Sequence, residues 1–183
     1  PDPYAVCPRL LVVAGARSQT SLVHDWQTKG WNNAVAEVVL EKEAQVDCYT
    51  LQTALDSQAY HVNTVQCHQA QRSLLNTHTF TWSGALVRNN LHCAMAAPHS
   101  ELNMYGLYAL QGQQHVDNST AVDHQQPHTS SNEHYKGLLM DRSTGVFNGR
   151  IYVQPEAQQT QAFQANHNLV LSEQATLHTK PQL

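Results

Sequence analysis

Val13-Ala-Gly-Ala-Arg-Ser-Gln-Thr-Ser-Leu22 and Val39-Leu-Glu-Lys-Glu-Ala-Gln-Val-Asp-Cys48 carry one pattern at a spacing of 26 residues. The apolar lead recurs at Val65 and Leu91, and a small side chain follows five residues after each lead, at Ser18, Ala44, Ala70 and Ala96. Gln19, Gln45 and Gln71 come next, with Ala97 as the departure in the fourth copy. Leu22, Cys48 and Leu74 then take an inward-looking slot, which the fourth copy reaches only after a one-residue slip. A period of roughly 20–50 residues marks stacked supersecondary units, each burying the face that its neighbour exposes. Apolar residues alternate within the units, as at Val46, Cys48 and Thr50 or Tyr60, Val62 and Thr64, and a period of two is that of a strand. A coil of this length holds two strands of about nine residues at roughly 3.3 Å per residue, plus two corners. The pattern therefore predicts an all-β chain folded as a β-solenoid.

Strands are expected at 9–14, 19–25, 34–40, 45–52, 59–68, 73–82, 85–95 and 100–110, after an irregular lead-in over 1–8 that contains Pro1, Pro3 and Pro8. Gly15, Gly30, Asp56-Ser57 and Ser83-Gly84 suit the corners between them. Beyond this the pattern changes. Residues 112–149 break the 26-residue period; 113–124 read as a strand pair and 127–142 as a segment that loops out. Gly145-Val-Phe-Asn-Gly149 puts an Asn-Gly pair between apolar runs, a tight-turn signal. Val153-Gln-Pro-Glu-Ala157 realigns with Leu171-Ser-Glu-Gln-Ala175 at a spacing of 18, which predicts shorter coils and a tapering stack. No segment shows a helical period.

A chain of 183 residues fits one domain with a real core, residues 1–183. Its formal net charge is −4, and its ten Lys plus Arg form no cluster, so the basic footprint of nucleic-acid binding is missing. The longest apolar run, Leu10 to Ala14, is far below the roughly 20 residues of a membrane-spanning helix. A start on Pro1 rather than Met reads as an internal piece of a longer protein. The Gln, Asn and His content, with only 13% charged residues, fits polar ladders in which identical amides bond from coil to coil.

Four histidines, His115, His124, His128 and His134, crowd the aperiodic segment beside Asp117 and Asp123. Imidazole and carboxylate suit zinc or iron, and three converging histidines would suffice. A cupin-type site would place two His one residue apart and a Glu shortly after, yet Asp117 fills the slot two after His115 and no such Glu follows. Surface or ladder histidines are the preferred reading, with a cupin-like metalloenzyme on His115, His124 and His128 as the alternative. Cys67 and Cys93 fall in register on adjacent coils, an arrangement open to a metal or disulfide reading; stacked free thiols filling the interior as small hydrophobes are preferred. Cys7 and Cys48 add no CxxC spacing. Glu37, Glu41 and Glu43 read as a solvated face rather than the converging carboxylates a polysaccharide-active β-helix needs. No nucleophile elbow and no phosphate-binding loop occurs. No catalytic, cofactor-binding or metal residue is assigned.

His115-Val-Asp-Asn-Ser-Thr-Ala-Val-Asp-His124, Pro127-His128, Tyr135-Lys-Gly137 and Gly145-Val-Phe-Asn-Gly149 resemble the core of the SufB/SufD family. So do Ala157, Thr160, Gln164-x-Asn166-x-Asn168-Leu169, Lys180-Pro-Gln-Leu183, Asn33-Ala-Val with Glu37, and Gly84-Ala-Leu-Val-Arg-Asn-Asn-Leu91. The ending Lys180-Pro-Gln-Leu183 is similar to SufD more than to SufB. The resemblance implies a right-handed parallel β-helix within an iron–sulfur cluster assembly scaffold, in the cytoplasm or, in a eukaryote, a plastid. It implies no catalysis by the chain itself, and a cluster held transiently by the whole complex. Its implied partners are a SufB-like subunit, β-helix to β-helix, and a SufC-type ATPase held by a C-terminal helical region absent from residues 1–183. The family's cluster-forming Cys and His lie past the Lys-Pro-Gln-Leu motif, so no ligand is carried over. Gly145, Asn148, Gly149, Asn166 and Asn168 match as corner, ladder and packing residues. An isolated piece is expected to self-associate through its open end.

Overall fold

The computed structural model describes residues 5–27 and 29–183; the first half of the expected lead-in, Pro1 and Pro3 included, lies outside them. Among the described residues fourteen strands follow one another without a helix: β1 Ala5–Val6, β2 Arg9–Ala14, β3 Gln19–Asp25, β4 Trp31–Leu40, β5 Gln45–Gln52, β6 Tyr60–Gln69, β7 Leu74–Thr81, β8 Leu86–Met95, β9 Glu101–Leu110, β10 His115–His124, β11 Ser130–Leu139, β12 Thr144–Val153, β13 Gln161–Val170 and β14 Thr176–Gln182. No helix among the described residues is long and apolar enough to cross a membrane. All pairings are parallel. One sheet runs β1-β4-β6-β8-β10-β12-β14, with β2 also on β4, and the other runs β13-β11-β9-β7-β5-β3. The chain alternates between the two sheets, so it winds a β-solenoid of about six turns. The expected strands up to residue 110 match within a few residues.

The coil length is not fixed. Partners in the first sheet are 26 apart at Arg9↔Val35, 29 at Trp31↔Tyr60 and 26 at Tyr60↔Leu86. They are 29 apart at Leu86↔His115 and His115↔Thr144, and 32 at Thr144↔Thr176. The apolar series Val13, Val39, Val65, Leu91 is therefore no single column. Val39 pairs with His68, and Val65 with Ala36 three positions earlier. An odd slip turns a side chain to the opposite face, so Val13 faces solvent while Val65 and Leu91 are buried. Gln71 and Ala70 likewise belong to a corner, and the slot after Leu22 and Cys48 goes to Thr77 rather than Leu74.

Three further expectations are corrected. Residues 112–149 are regular coils, with β10 a single strand and β11 occupying the segment expected to loop out. The interior of β11 is Ser131, Glu133, Tyr135, Gly137 and Leu139, too polar to read as a buried strand face. The Asn148-Gly149 pair lies within β12, not in a turn. The coils also lengthen toward the C-terminus instead of tapering. The 18-residue echo joins corners on opposite edges, half a coil apart: Ala157 N–H bonds Gln154 and Ala175 N–H bonds Ser172, the same turn twice.

Between the sheets, Leu40, Val46, Leu75, Leu91, Met95, Leu102, Met104, Phe147 and Ile151 form one core cluster. Tyr108, Leu110, Leu139, Val87 and Val116 form another. Large rings fit because their register partners lack a side chain: a Cβ at Gly106 would fall on the Tyr135 ring, and one at Gly137 on Tyr108 and Asn168. Ala44 is wholly buried behind a corner, while Gln58 is exposed in the corner 53–59. Ala44→Trp and Gly106→Ala should each lower unfolding free energy by about 1–3 kcal/mol through overpacking. Gln58→Trp should be nearly silent in the same urea titration, and equal tolerance at all three would refute the coil assignment.

Candidate functional site

Inward positions in the middle and C-terminal coils carry an uncommon share of polar groups. Alternation places Asn89 and Asn118 in one interior column, since Asn89 pairs with Asn118 across β8 and β10. The Asn89 amide donates to Asn118 Oδ1 at 3.0 Å and accepts from Gln52 Nε2 at 2.7 Å, and Thr81 donates its hydroxyl to Gln52 Oε1. This buried amide chain ties both sheets and three coils together. A buried amide left unbonded costs about 1–3 kcal/mol, so the chain also fixes which coil lies on which.

One coil further, Glu133 is a fully buried carboxyl group. Gln164 Nε2 donates to its Oε2 at 2.6 Å, and Oε1 has no hydrogen-bond partner among the described residues. Burial pushes the Glu133 pKa up, against the opposing pull of the nearby Thr120 hydroxyl and of the Gln164 amide. The neighbouring inward residue, Tyr135, tilts against Phe147 with ring centroids 5.1 Å apart. Burial drives its phenol above the usual range, with the Glu133 carboxyl adding to the effect. Tyr108 donates its hydroxyl to Asn168, whose amide in turn donates to Asn166. Chemically this is a buried, hydrogen-bonded set of a carboxyl group, phenols and amides.

His124 ends the interior row of β10. Its Nδ1 lies 2.7 Å from Thr129 Oγ1 and its Nε2 2.8 Å from Ser131 Oγ, so one ring nitrogen donates and the other accepts. Burial lowers its pKa to about 4 despite nearby Asp123. His61, packed on Trp26 at 4.9 Å, is lowered to about 4 by burial as well.

The outer faces carry the expected polar ladders. On the second sheet Asn76 donates to Asp47 at 2.8 Å and Asn103 to Asn76 at 2.9 Å. Beside them the Tyr49, His78 and Tyr105 rings stack at 4.7 and 5.2 Å. On the first sheet Arg88 and Asp117 form an ion pair at 2.6 Å.

The four sequence-selected histidines do not meet. His124 is inside, His128 sits in a corner stacked on His99 at 4.9 Å, and His115 and His134 point outward from different sheets. Among the described residues no group of three or more His, Cys, Asp or Glu is placed to hold a metal ion. The three-histidine cupin-like constellation is thus not assembled. Cys67 and Cys93 are register partners, buried and free, as read from their spacing, while Cys7 is exposed. Glu41 accepts the Ala16 N–H at 2.9 Å, and Glu43 lies 3.8 Å from Lys42, both at the surface. Sequence reasoning missed Glu133, Tyr135 and Tyr108. The available signal was the alternation Ser131, Glu133, Tyr135, Gly137, Leu139, which reads as a strand once polar side chains are allowed inside.

The model of the SufBD core domain of the SUF system for FeS cluster assembly matches residues 2–183. The chain belongs to the SufBD core family. Curated relatives agree. An iron–sulfur cluster assembly SufBD family protein of Synechocystis sp. is 30% identical over all of this chain and 43% of its own length. The chloroplastic protein ABCI7 of Arabidopsis thaliana is 26% identical over 96% of the chain and 38% of its own. SufD of Escherichia coli is 27% identical over 74% of the chain and 35% of its own. The chain thus spans less than half the length of these relatives. The SufD-like reading of the chain agrees with the last of them, and the Lys180–Leu183 motif lies at the end of β14.

The buried imidazoles set a pH dependence. An unfolded His titrates near about 6.5, and the folded values of His61 and His124 are lower, so below about 6.5 the unfolded chain binds more protons. Their contribution to stability is complete above about 6.5 and is lost as pH falls toward about 4. Glu133 has the opposite sign, its folded pKa being raised: its contribution is complete below the unfolded carboxylate value and declines as pH rises through the folded one. Thermal melts from pH 7.5 to 4.5 should show Tm falling steadily. His124→Gln should flatten that decline, and Glu133→Gln should raise Tm at pH 8 relative to wild type; an unchanged slope in the first would refute the neutral-imidazole assignment.

Proposed function

We propose that this chain is the β-solenoid body of a SufD-like scaffold subunit in iron–sulfur cluster assembly, one that positions partners and performs no catalysis itself. The match of residues 2–183 to the SufBD core carries this reading. The architecture supports it: the Gln52–Asn89–Asn118 amide chain, the Glu133–Gln164 pair and His124 with Thr129 and Ser131 bond interior groups to one another, which makes a stiff frame. The partner for the solenoid is a SufB-like subunit, docked β-helix to β-helix. The sheets end at β13 and β14 in residues 5–183, and a parallel edge offers unpaired N–H and C=O groups to a matching strand. Phe163 and Leu169 on β13 are 62% and 64% exposed, apolar surface suited to such an interface. A SufC-type ATPase would be held through residues outside 1–183, and the cluster by the assembled complex.

Pull-downs with a separately purified SufB-like subunit and SufC-type ATPase test this. A chain carrying the residues that relatives have beyond the Lys180–Leu183 motif should retain both proteins, and Leu169→Asp should weaken SufB-like retention at least tenfold. Residues 1–183 alone should not retain the ATPase and should self-associate in light scattering as concentration rises. Tight ATPase capture by residues 1–183, or a monomer at every concentration, would show the interfaces to be elsewhere.

A further inference from the structure

Cys67 and Cys93 are direct partners in the parallel ladder of β6 and β8. Both side chains point inward, 1% and 2% exposed, and both are free thiols. Neighbouring strands lie about 4.8 Å apart, within the roughly 4.4–6.8 Å Cα separation that a disulfide spans. A third interior thiol, Cys48, stands on β5 in the facing sheet. Packed sheets lie about 10 Å apart, beyond the roughly 7 Å at which bridging requires backbone movement. We propose that Cys67 and Cys93 form a cross-coil disulfide, a redox latch that fastens neighbouring coils and can be set only while the stack is open.

The closed solenoid protects the pair. A hydrogen bond with Cys93, together with burial, holds the Cys67 thiol far above the ordinary range, and burial pushes Cys48 up to about 12. The thiolate is the attacking species, so an intact core is nearly inert. Opening of a coil, in folding or in breathing of the stack, admits water and an oxidant of the low-molecular-weight disulfide class. One thiolate then attacks a sulfur of R–S–S–R, forming a mixed disulfide and expelling RS⁻, which takes up the released proton. The second cysteine displaces the remaining RS⁻, leaving Cys67–Cys93 and two RSH. Both electrons lost by the cysteine pair reside on the reduced small thiols.

Chain statistics argue for a different product, which makes the proposal discriminating. Positions 48 and 67 are 19 apart, whereas 67 and 93 are 26 apart, and loop closure favours the shorter separation. A structureless chain therefore favours Cys48–Cys67. A loosened stack that keeps its register favours Cys67–Cys93.

The test uses Cys7→Ser protein incubated with oxidised glutathione at graded urea, quenched by alkylation and mapped by peptide mass. Without urea all three interior thiols should remain. Below the unfolding midpoint one intramolecular disulfide, lighter by two hydrogens, should join Cys67 to Cys93 in several-fold excess over Cys48–Cys67. After urea removal the oxidised protein should regain its β-sheet circular dichroism and unfold at higher urea than the reduced form, a gap that dithiothreitol abolishes and Cys93→Ser never shows. A dominant bond to Cys48, equal oxidation without urea, or an oxidised form that cannot refold would each overturn the latch.

Discussion

Every coil depends on a corner in which an ordinary residue takes a left-handed backbone. Arg17, Glu43, Arg72, His99, His128 and Gln159 all have φ between 55° and 62°, one at each successive corner along the same edge. Such a conformation costs a side-chain-bearing residue roughly 1–2 kcal/mol, and none of these six is Gly or Asn. The stacking repays it. Arg17, Glu43, Arg72 and His128 each donate the strained residue's N–H to a carbonyl of the next coil, at Lys42, Gln71, Pro98 and Gln158. The residue after it closes the turn, as Ser18, Ala44 and Ser73 do onto Gly15, Glu41 and Ala70. At Ser73, Ser100, Thr129 and Thr160 the hydroxyl of that residue bonds the same turn again. Because the corner resets the phase of each strand, it decides which residues go inside, and the interior chemistry follows from it.

The interior is a problem in volume and polarity solved column by column. Tyr135 and Tyr108 occupy room left by Gly106 and Gly137, and Glu133 stands where other coils put Met104 and Thr77. Several interior polar groups find a partner one coil away, Gln164 for Glu133 and Asn118 for Asn89, and His124 finds Thr129 and Ser131 across its own corner. An apolar filling would pack as well but would tolerate slippage between coils, whereas a hydrogen bond with one partner does not. For a frame that holds other proteins at fixed positions, that specificity matters more than added stability.

Much of this was legible in the sequence where apolar residues marked the inward face. The strands to residue 110, the all-β class and the register of Cys67 with Cys93 follow from alternation and one 26-residue step. The rest was hidden for physical reasons. A change from 26 to 29 residues reverses inside and outside, so Val13 and Val65 look equivalent in a string and are opposite in space. The Ser131–Leu139 face is polar, which mimics a loop. Asn148-Gly149 resembles a turn because Gly149 is small for a packing reason: a Cβ there would meet the Gln164 side chain. The strained corners were invisible because Arg, Glu and His are not residues from which a left-handed backbone is inferred. Among the functional candidates, the crowding of His115, His124, His128 and His134 in sequence was dispersed by the two-sheet winding.

The direction of the backbone hydrogen bonds has a mechanical meaning. In both sheets they run from coil to coil, along the stack, and the described chain starts at one end of it and finishes at the other. A load applied between those ends pulls each rung along its own bonds, so the rungs open in sequence like a peeled seam and do not share the force. Each coil released would pay out about 10 nm of chain at roughly 3.4 Å per residue. Load applied across the stack instead shears many bonds together. The molecule should therefore behave as a stiff strut against sideways force and as a yielding, stepwise tether against axial pull.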